Sequence, residues 1–125
     1  MGEYKAGKKH GPGKLIWSDG SAYTGNFNLD VIEGNGVLDC ANGCHYEGEF
    51  KDNMVNGKGT MTWKNGKKYV GEFKGDKRDG YGIFDWPDGR HYEGFWANGK
   101  QHGKGTLKTK TGEQAGQWEN GKLLE

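Results

Sequence analysis

Tyr46-Glu47-Gly48-Glu49-Phe50, then Gly57-Lys58-Gly59-Thr60-Met61-Thr62-Trp63, then Asn65-Gly66 follow one another in the middle of the chain. The same order returns as Tyr69-Val70-Gly71-Glu72-Phe73, Gly80-Tyr81-Gly82-Ile83-Phe84-Asp85-Trp86 and Asp88-Gly89. Working outward, Tyr23, Tyr46, Tyr69 and Tyr92 are spaced 23 residues apart, each followed two residues on by Gly25, Gly48, Gly71 or Gly94. Two further on stands an aromatic: Phe27, Phe50, Phe73 or Trp96. A G-x-G pair comes next, at Gly34/Gly36, Gly57/Gly59, Gly80/Gly82 and Gly103/Gly105, and Gly43, Gly66, Gly89 and Gly112 close the units. A fixed period in the range of about 20–50 residues marks a repeat architecture. The register divides residues 1–125 into a partial unit (1–22), full units (23–45, 46–68, 69–91, 92–113) and a half unit (114–125). An array that opens in mid-motif reads as a fragment of a longer protein.

Within a unit the chemistry is β. Tyr46 to Phe50 and Thr60 to Trp63 alternate with period two. Asp19-Gly20, Asn42-Gly43, Asn65-Gly66 and Asp88-Gly89 between strands signal hairpins in which both central residues need positive φ. The other connection, Phe50 to Gly59 for instance, reads as longer and looser. No window carries the 3.6-residue apolar period of an amphipathic helix. The expectation is an all-β, elongated, single-layer antiparallel sheet of tandem hairpins. About eleven strands at ~4.8 Å spacing give a rod roughly 50 Å long. Alternation sends Tyr46, Gly48, Phe50, Met61 and Trp63 to one face, with Leu15/Trp17, Leu38/Cys40, Phe84/Trp86 and Leu107/Thr109 on the same side. Each in-facing glycine lets rings lie across bare backbone, which explains so many glycines in strands. The opposite face reads as mixed-charge and solvated.

Composition limits the functions available. Glycine supplies 25 of 125 residues and only 31% are hydrophobic, yet five Trp, six Tyr and five Phe are too many aromatics for disorder. Eighteen basic and 17 acidic residues leave net +1, and Arg78 and Arg90 are the only arginines. Nucleic-acid readers carry a positive excess and lean on arginine forks, so that class is set aside. No apolar run is long enough to span a membrane. Cys40 and Cys44 make no disulfide framework, so free thiols in a reducing compartment are expected.

The pattern Y-x-G-x-[F/W], G-x-G, N/D-G every 23 residues resembles the MORN repeat (membrane occupation and recognition nexus) over nearly the whole chain. The resemblance implies a single elongated antiparallel sheet with a groove along one face. It further implies a scaffold of cytoskeletal, ciliary or membrane-junction assemblies that pairs with itself or holds a partner's helix in the groove. MORN-like arrays also stand beside catalytic domains, so the regulatory region of a larger enzyme is an alternative. Cys40 and Thr109 depart from the Trp of this slot, and Gln114 replaces the tyrosine of the last unit.

Chemistry finds no purchase in these residues. Ser18 and Ser21 flank a turn, while His10, His45, His91 and His102 occupy repeated turn and edge positions. Cys40-x3-Cys44-His45 lacks a fourth ligand for tetrahedral zinc. Gly57-Lys58-Gly59-Thr60 fails the phosphate-loop spacing. No enzyme, cofactor, metal or small-molecule substrate is expected. The expected groove consists of Trp17, Tyr23, Phe27, Tyr46, Phe50, Trp63, Tyr69, Phe73, Trp86, Tyr92 and Trp96, facing a helical peptide or a second copy. Glycines such as Gly71 and Gly82 are expected to leave room for a partner's side chains. The rival is an anionic-lipid module using Lys100, Lys104, Lys108 and Lys110, with Lys5, Lys8, Lys9 and Lys14 as a second cluster. Either reading places the chain in the cytoplasm, at the cytoskeleton or the inner face of a membrane.

Overall fold

The computed structural model describes residues 2–5 and 8–124, with side chains from residue 10 onward. It is all strand: β1 (Gly2–Lys5), β2 (Lys8–Ile16), β3 (Ala22–Asn28), β4 (Val31–Asp39), β5 (His45–Lys51), β6 (Met54–Thr62), β7 (Lys68–Lys74), β8 (Lys77–Asp85), β9 (His91–Ala97), β10 (Lys100–Thr109), β11 (Gly112–Glu119) and β12 (Lys122–Leu123). These twelve pair in sequence order in one antiparallel sheet, one strand more than the sequence pattern suggests.

Two kinds of turn alternate from β2 to β10. At Trp17–Ser21, Cys40–Cys44, Trp63–Lys67 and Trp86–Arg90 the first residue's N–H donates to the last residue's carbonyl at 2.8–3.0 Å. Three residues lie between, and only the glycine has positive φ, +95° to +96°. The Asp/Asn-Gly signal therefore makes a three-residue loop with glycine in the left-handed region, not the two-residue turn that the dipeptide implies. Asp19, Asn42, Asn65 and Asp88 serve differently: each side chain accepts a hydrogen bond from the N–H two residues on. The true two-residue turns fall in the connection that reads as loose. Leu29-Asp30, Asp52-Asn53, Gly75-Asp76, Asn98-Gly99 and Asn120-Gly121 all have positive φ at both positions. The last four also dock on the preceding unit through a backbone N–H. Asn53 exchanges hydrogen bonds with Ile32, its N–H to the carbonyl and its Oδ1 from the N–H. Asp76 does the same with Val55.

One row of glycines runs across the sheet. Gly2, Gly13, Gly25, Gly36, Gly48, Gly59, Gly71, Gly82, Gly94, Gly105 and Gly116 are successive cross-strand partners from β1 to β11. Beside it the hairpins closed by the first four two-residue turns, from β3 to β10, are bulged. After Gly48↔Gly59 the register jumps to Phe50↔Val55, so three residues oppose one. The extra residues sit at Gly57, whose φ of +95° suits glycine. The Glu49 carboxylate accepts the Lys58 N–H at 2.5 Å, and Glu72 accepts that of Tyr81 at 2.7 Å, fixing two of these bulges. A bulge bends its strand. Repeated in register, bulges crease the sheet lengthwise, and the half bearing Phe27, Phe50, Phe73 and Trp96 leans toward the half bearing the tyrosines.

The crease makes a core from one sheet. Tyr23, Tyr46, Tyr69 and Tyr92 are all 0% exposed. Each tyrosine meets the aromatic of its own unit edge-on at 5.0–5.3 Å and that of the next unit at 4.9–5.5 Å. Each hydroxyl crosses the glycine row and donates to a backbone carbonyl three residues on, from Asn26, Glu49, Glu72 and Phe95, at 2.8–3.1 Å. The expectation that glycines leave space for a partner is corrected here. A Cβ on Gly59 would meet the Tyr46 hydroxyl, and one on Gly82 that of Tyr69. The protein's own tyrosines occupy that space.

Cys40 and Cys44 are disulfide-bonded, not free thiols, because they are the closing pair of a three-residue hairpin. The outer face is not uniformly polar either: Val70, Tyr81 and Phe95 are 42%, 42% and 45% exposed on it.

Candidate partner-binding trough

The creased face presents a trough whose floor is aromatic and whose rim is tryptophan. Tyr23, Tyr46, Tyr69, Tyr92, Phe27, Phe50, Phe73 and Trp96 are buried beneath it, so they shape the floor. Trp17 is 38% exposed, and Trp63 and Trp86 are half-buried against the core. Burial raises the phenol pKa of Tyr46 and Tyr92 to about 12 and raises those of Tyr23 and Tyr69 as well. These hydroxyls remain protonated hydrogen-bond donors over the physiological range.

The trough differs along its length. Toward β8 and β9 it is filled. Trp63 stacks on Phe84 at 5.5 Å, and Phe84 meets Trp86 at 4.4 Å. Arg78 lies 5.0 Å from the Phe84 ring and 4.9 Å from that of Trp96. Its Nη2 donates to the Gly99 carbonyl at 2.7 Å. Arg78 takes the place held by Ile32 and Val55 in earlier units. Burial lowers its pKa, yet a guanidinium stays charged, so this section is a cation sheathed by rings.

Toward β4 the trough is open. The slot filled by Trp17, Trp63 and Trp86 holds Cys40, whose disulfide draws it back against Cys44. A cavity of about 550 Å³ results, lined by Trp17, Ile32, Leu38, Cys40, Phe50 and Val55, with Asp19, Asn53 and Asp76 at its margin. The Ser21 N–H bond holds the Asp19 carboxyl below its ordinary pKa, so that margin is anionic. The cavity accepts a bulky apolar side chain, and its edge favours a cation beside it.

The chain's sequence matches the family model described as MORN repeat over residues 1–22, 23–45, 46–68, 69–89 and 92–114. The chain belongs to the MORN-repeat family. Its units coincide with the hairpin pairs above, and its membership marks it as a repeat protein of protein or membrane interaction. Among the described residues no helix is long and apolar enough to cross a membrane.

The other sequence-predicted residues fall outside the trough of this MORN array. Lys100, Lys104, Lys108 and Lys110 are all exposed. Lys104 and Lys108 share the outer face of β10, with Lys108 opposite Glu113, while Lys110 lies in the following turn and Lys100 at the other strand end. Lys14 is exposed on β2, whereas the side chains of Lys5, Lys8 and Lys9 lie outside the described residues. His45 and His91 pair with Asp39 and Asp85 at 2.6 and 2.5 Å. The Asp39 and Glu47 contacts raise the His45 pKa. With both sulfurs of Cys40 and Cys44 in one bond, that stretch offers no thiolate ligand pair.

The sequence reading missed Arg78 and the cavity at Cys40. Both were marked by a broken repeat: one charge in an aliphatic position, one small residue in a Trp position. Val70, Ile83, Tyr81 and Phe95 were missed as an outer cluster for the opposite reason. Each was judged within its own unit and not along the cross-strand row.

Proposed function

We propose that this chain is a non-enzymatic scaffold module that holds a helical segment of a protein partner in its trough. The observation that carries this reading is the apolar cavity left where Cys40 replaces the repeated tryptophan. A creased floor of locked rings presents that cavity without rearrangement, and preorganised sites lose least on binding. The strands beneath already pair their backbone groups in the sheet, so an occupant must satisfy its own, as a helix does. An apolar anchor in the cavity, with a basic residue toward Asp19 and Asp76, meets both the shape and the charge. Cytoskeletal or membrane-junction assemblies are the settings in which such a holder serves.

The test fills the cavity with the repeat's own side chain. Helical peptides selected on the wild-type protein are titrated against Cys40→Trp/Cys44→Ser and against Cys40→Ser/Cys44→Ser. The reading expects binding to vanish in the first and survive in the second, with both folded. Undiminished binding to the tryptophan variant sinks it.

A further inference from the structure

The outer face of the sheet carries a second groove, independent of the trough. Beside the glycine row two lines of side chains run across the strands. One line is Lys14, Thr24, Val37, Glu47, Thr60, Val70, Ile83, Glu93, Thr106 and Ala115 by successive pairing. The other, across the glycines, includes Lys58 opposite Glu72 and Tyr81 opposite Phe95. Most members are polar. Over β7 to β9 an apolar cluster stands between Glu72 and Glu93: Val70 pairs with Ile83, and Tyr81 meets Phe95 edge-on at 5.5 Å. The glycine backbones between them floor a cavity of about 610 Å³, lined by Thr60, Val70, Tyr81 and Ile83 with Glu47, Lys58 and Glu72 at its edge.

Repetition supplies the comparison. The positions of Val70 and Phe95 are Thr24 and Asn26 in the first full unit, and those of Ile83 and Tyr81 are Thr60 and Lys58 one unit earlier. The fold therefore accepts polar residues at every one of these places, and the apolar cluster is not needed to build the sheet. An exposed apolar cluster with a polar surround marks an interaction site.

We propose that this outer groove docks a basic amphipathic helix of a protein partner. Charge selects the occupant. Glu47, Glu72 and Glu93 stand around the cluster against Lys58 and Lys104, and the Glu93 carboxylate accepts the Tyr81 hydroxyl at 2.9 Å, which holds it at the groove edge. A rim more acidic than basic favours Lys or Arg flanking an apolar stripe over phosphates and anionic lipid. The sheet's paired backbone leaves a self-satisfied helix as the occupant here too. Four strands from β6 to β9 span roughly 15 Å, about ten residues of helix at 1.5 Å each. With the trough on the opposite face, one module would then bridge two partners.

The probe is a fluorescent Leu/Lys amphipathic helical peptide, with its Leu/Glu counterpart as control, followed by anisotropy on the intact chain. The Leu/Lys peptide is expected to bind and the Leu/Glu peptide not. Val70→Thr/Phe95→Asn should weaken binding at least tenfold, and Ile83→Thr/Tyr81→Lys provides a second, independent disruption. Glu47→Gln/Glu93→Gln should weaken it several-fold and flatten its salt dependence. Cys40→Trp/Cys44→Ser, which fills the trough, should leave it unchanged; loss there places the peptide in the trough and overturns the proposal. Equal binding of both peptides, or indifference to both outer-face double variants, also overturns it. So does sedimentation showing a wild-type dimer that Val70→Thr/Phe95→Asn dissolves, since the patch then pairs with itself.

Discussion

Gly59→Ala tests the mechanism of the core. Gly59 has an ordinary backbone conformation, so the substitution carries no left-handed penalty and gains about 0.4–1 kcal/mol through the unfolded chain. Against that gain stands the Tyr46 ring, whose hydroxyl, Cζ and Cε1 lie where the methyl must go. The ring has nowhere to retreat, being held edge-on by Phe50 and Phe73 at 5.2 Å each. Overpacking costs about 1–3 kcal/mol, and losing the Tyr46 hydroxyl bond to Glu49 adds about 1 kcal/mol. The net expectation is a loss of roughly 2–3 kcal/mol. The assay is urea unfolding followed by tryptophan fluorescence and circular dichroism, repeated in a Tyr46→Leu background. Removing the ring removes the collision, so the Gly59→Ala cost should shrink there by about 1–2 kcal/mol. Gly20→Ala is the control: nothing lies within contact of its Cβ and only its φ of +96° opposes it, for about 1–2 kcal/mol. A Gly59→Ala protein as stable as wild type, or equally destabilised with and without Tyr46, would refute the account of the glycine row.

Three more outcomes are expected. The folded pKa of about 12 at Tyr46 and Tyr92 exceeds the unfolded value near ~10. Their stabilisation is therefore complete below ~10 and lost as pH rises through the folded value; tyrosinate absorbance should appear together with loss of near-ultraviolet dichroism, and ionisation near ~10 in an intact fold contradicts this. The His45 pKa, raised first by Asp39, contributes stability below its unfolded value of ~6.5 that fades as pH rises through the folded one; Asp39→Asn should lower the midpoint seen by NMR, and an unchanged midpoint removes the pair from the account. Co-sedimentation with anionic vesicles should be weak and released by moderate salt, because Lys104 and Lys108 share their face with Glu93 and Glu113; sub-micromolar, headgroup-selective binding overturns that.

What could be read from the sequence was whatever repeats. The Tyr-x-Gly offset and the second glycine of each G-x-G pair define both the strands and the glycine row, since cross-strand pairing follows the period. The crease was not legible, because alternation treats every strand as straight and the register jump at Gly57 shows only once both hairpin neighbours are paired. That jump changes the meaning of the aromatic stripe: rings expected to face a partner in the groove become a buried floor under the trough. Asp-Gly and Asn-Gly pointed to hairpins correctly but not to their loop length, which the chain sets by closing Trp17 on Ser21 across three residues. The Cys40–Cys44 bond hangs on the same point. A spacing of four looks unhelpful until positions 40 and 44 prove to be the closing pair of such a loop.

The central proposal is that a partner helix lies in the trough, at the cavity beside Cys40. Site-specific photo-crosslinking in the protein's native cells reads this directly, with benzoylphenylalanine placed in turn at Trp17, Leu38, Thr24 and Lys14. Trp17 and Leu38 border the open cavity, whereas Thr24 and Lys14 are exposed on the opposite face. The account predicts the same adduct from Trp17 and Leu38, mapping to one helical segment, and none from Thr24 or Lys14. Adducts of that protein from Thr24 or Lys14, with none from Trp17 or Leu38, would contradict it.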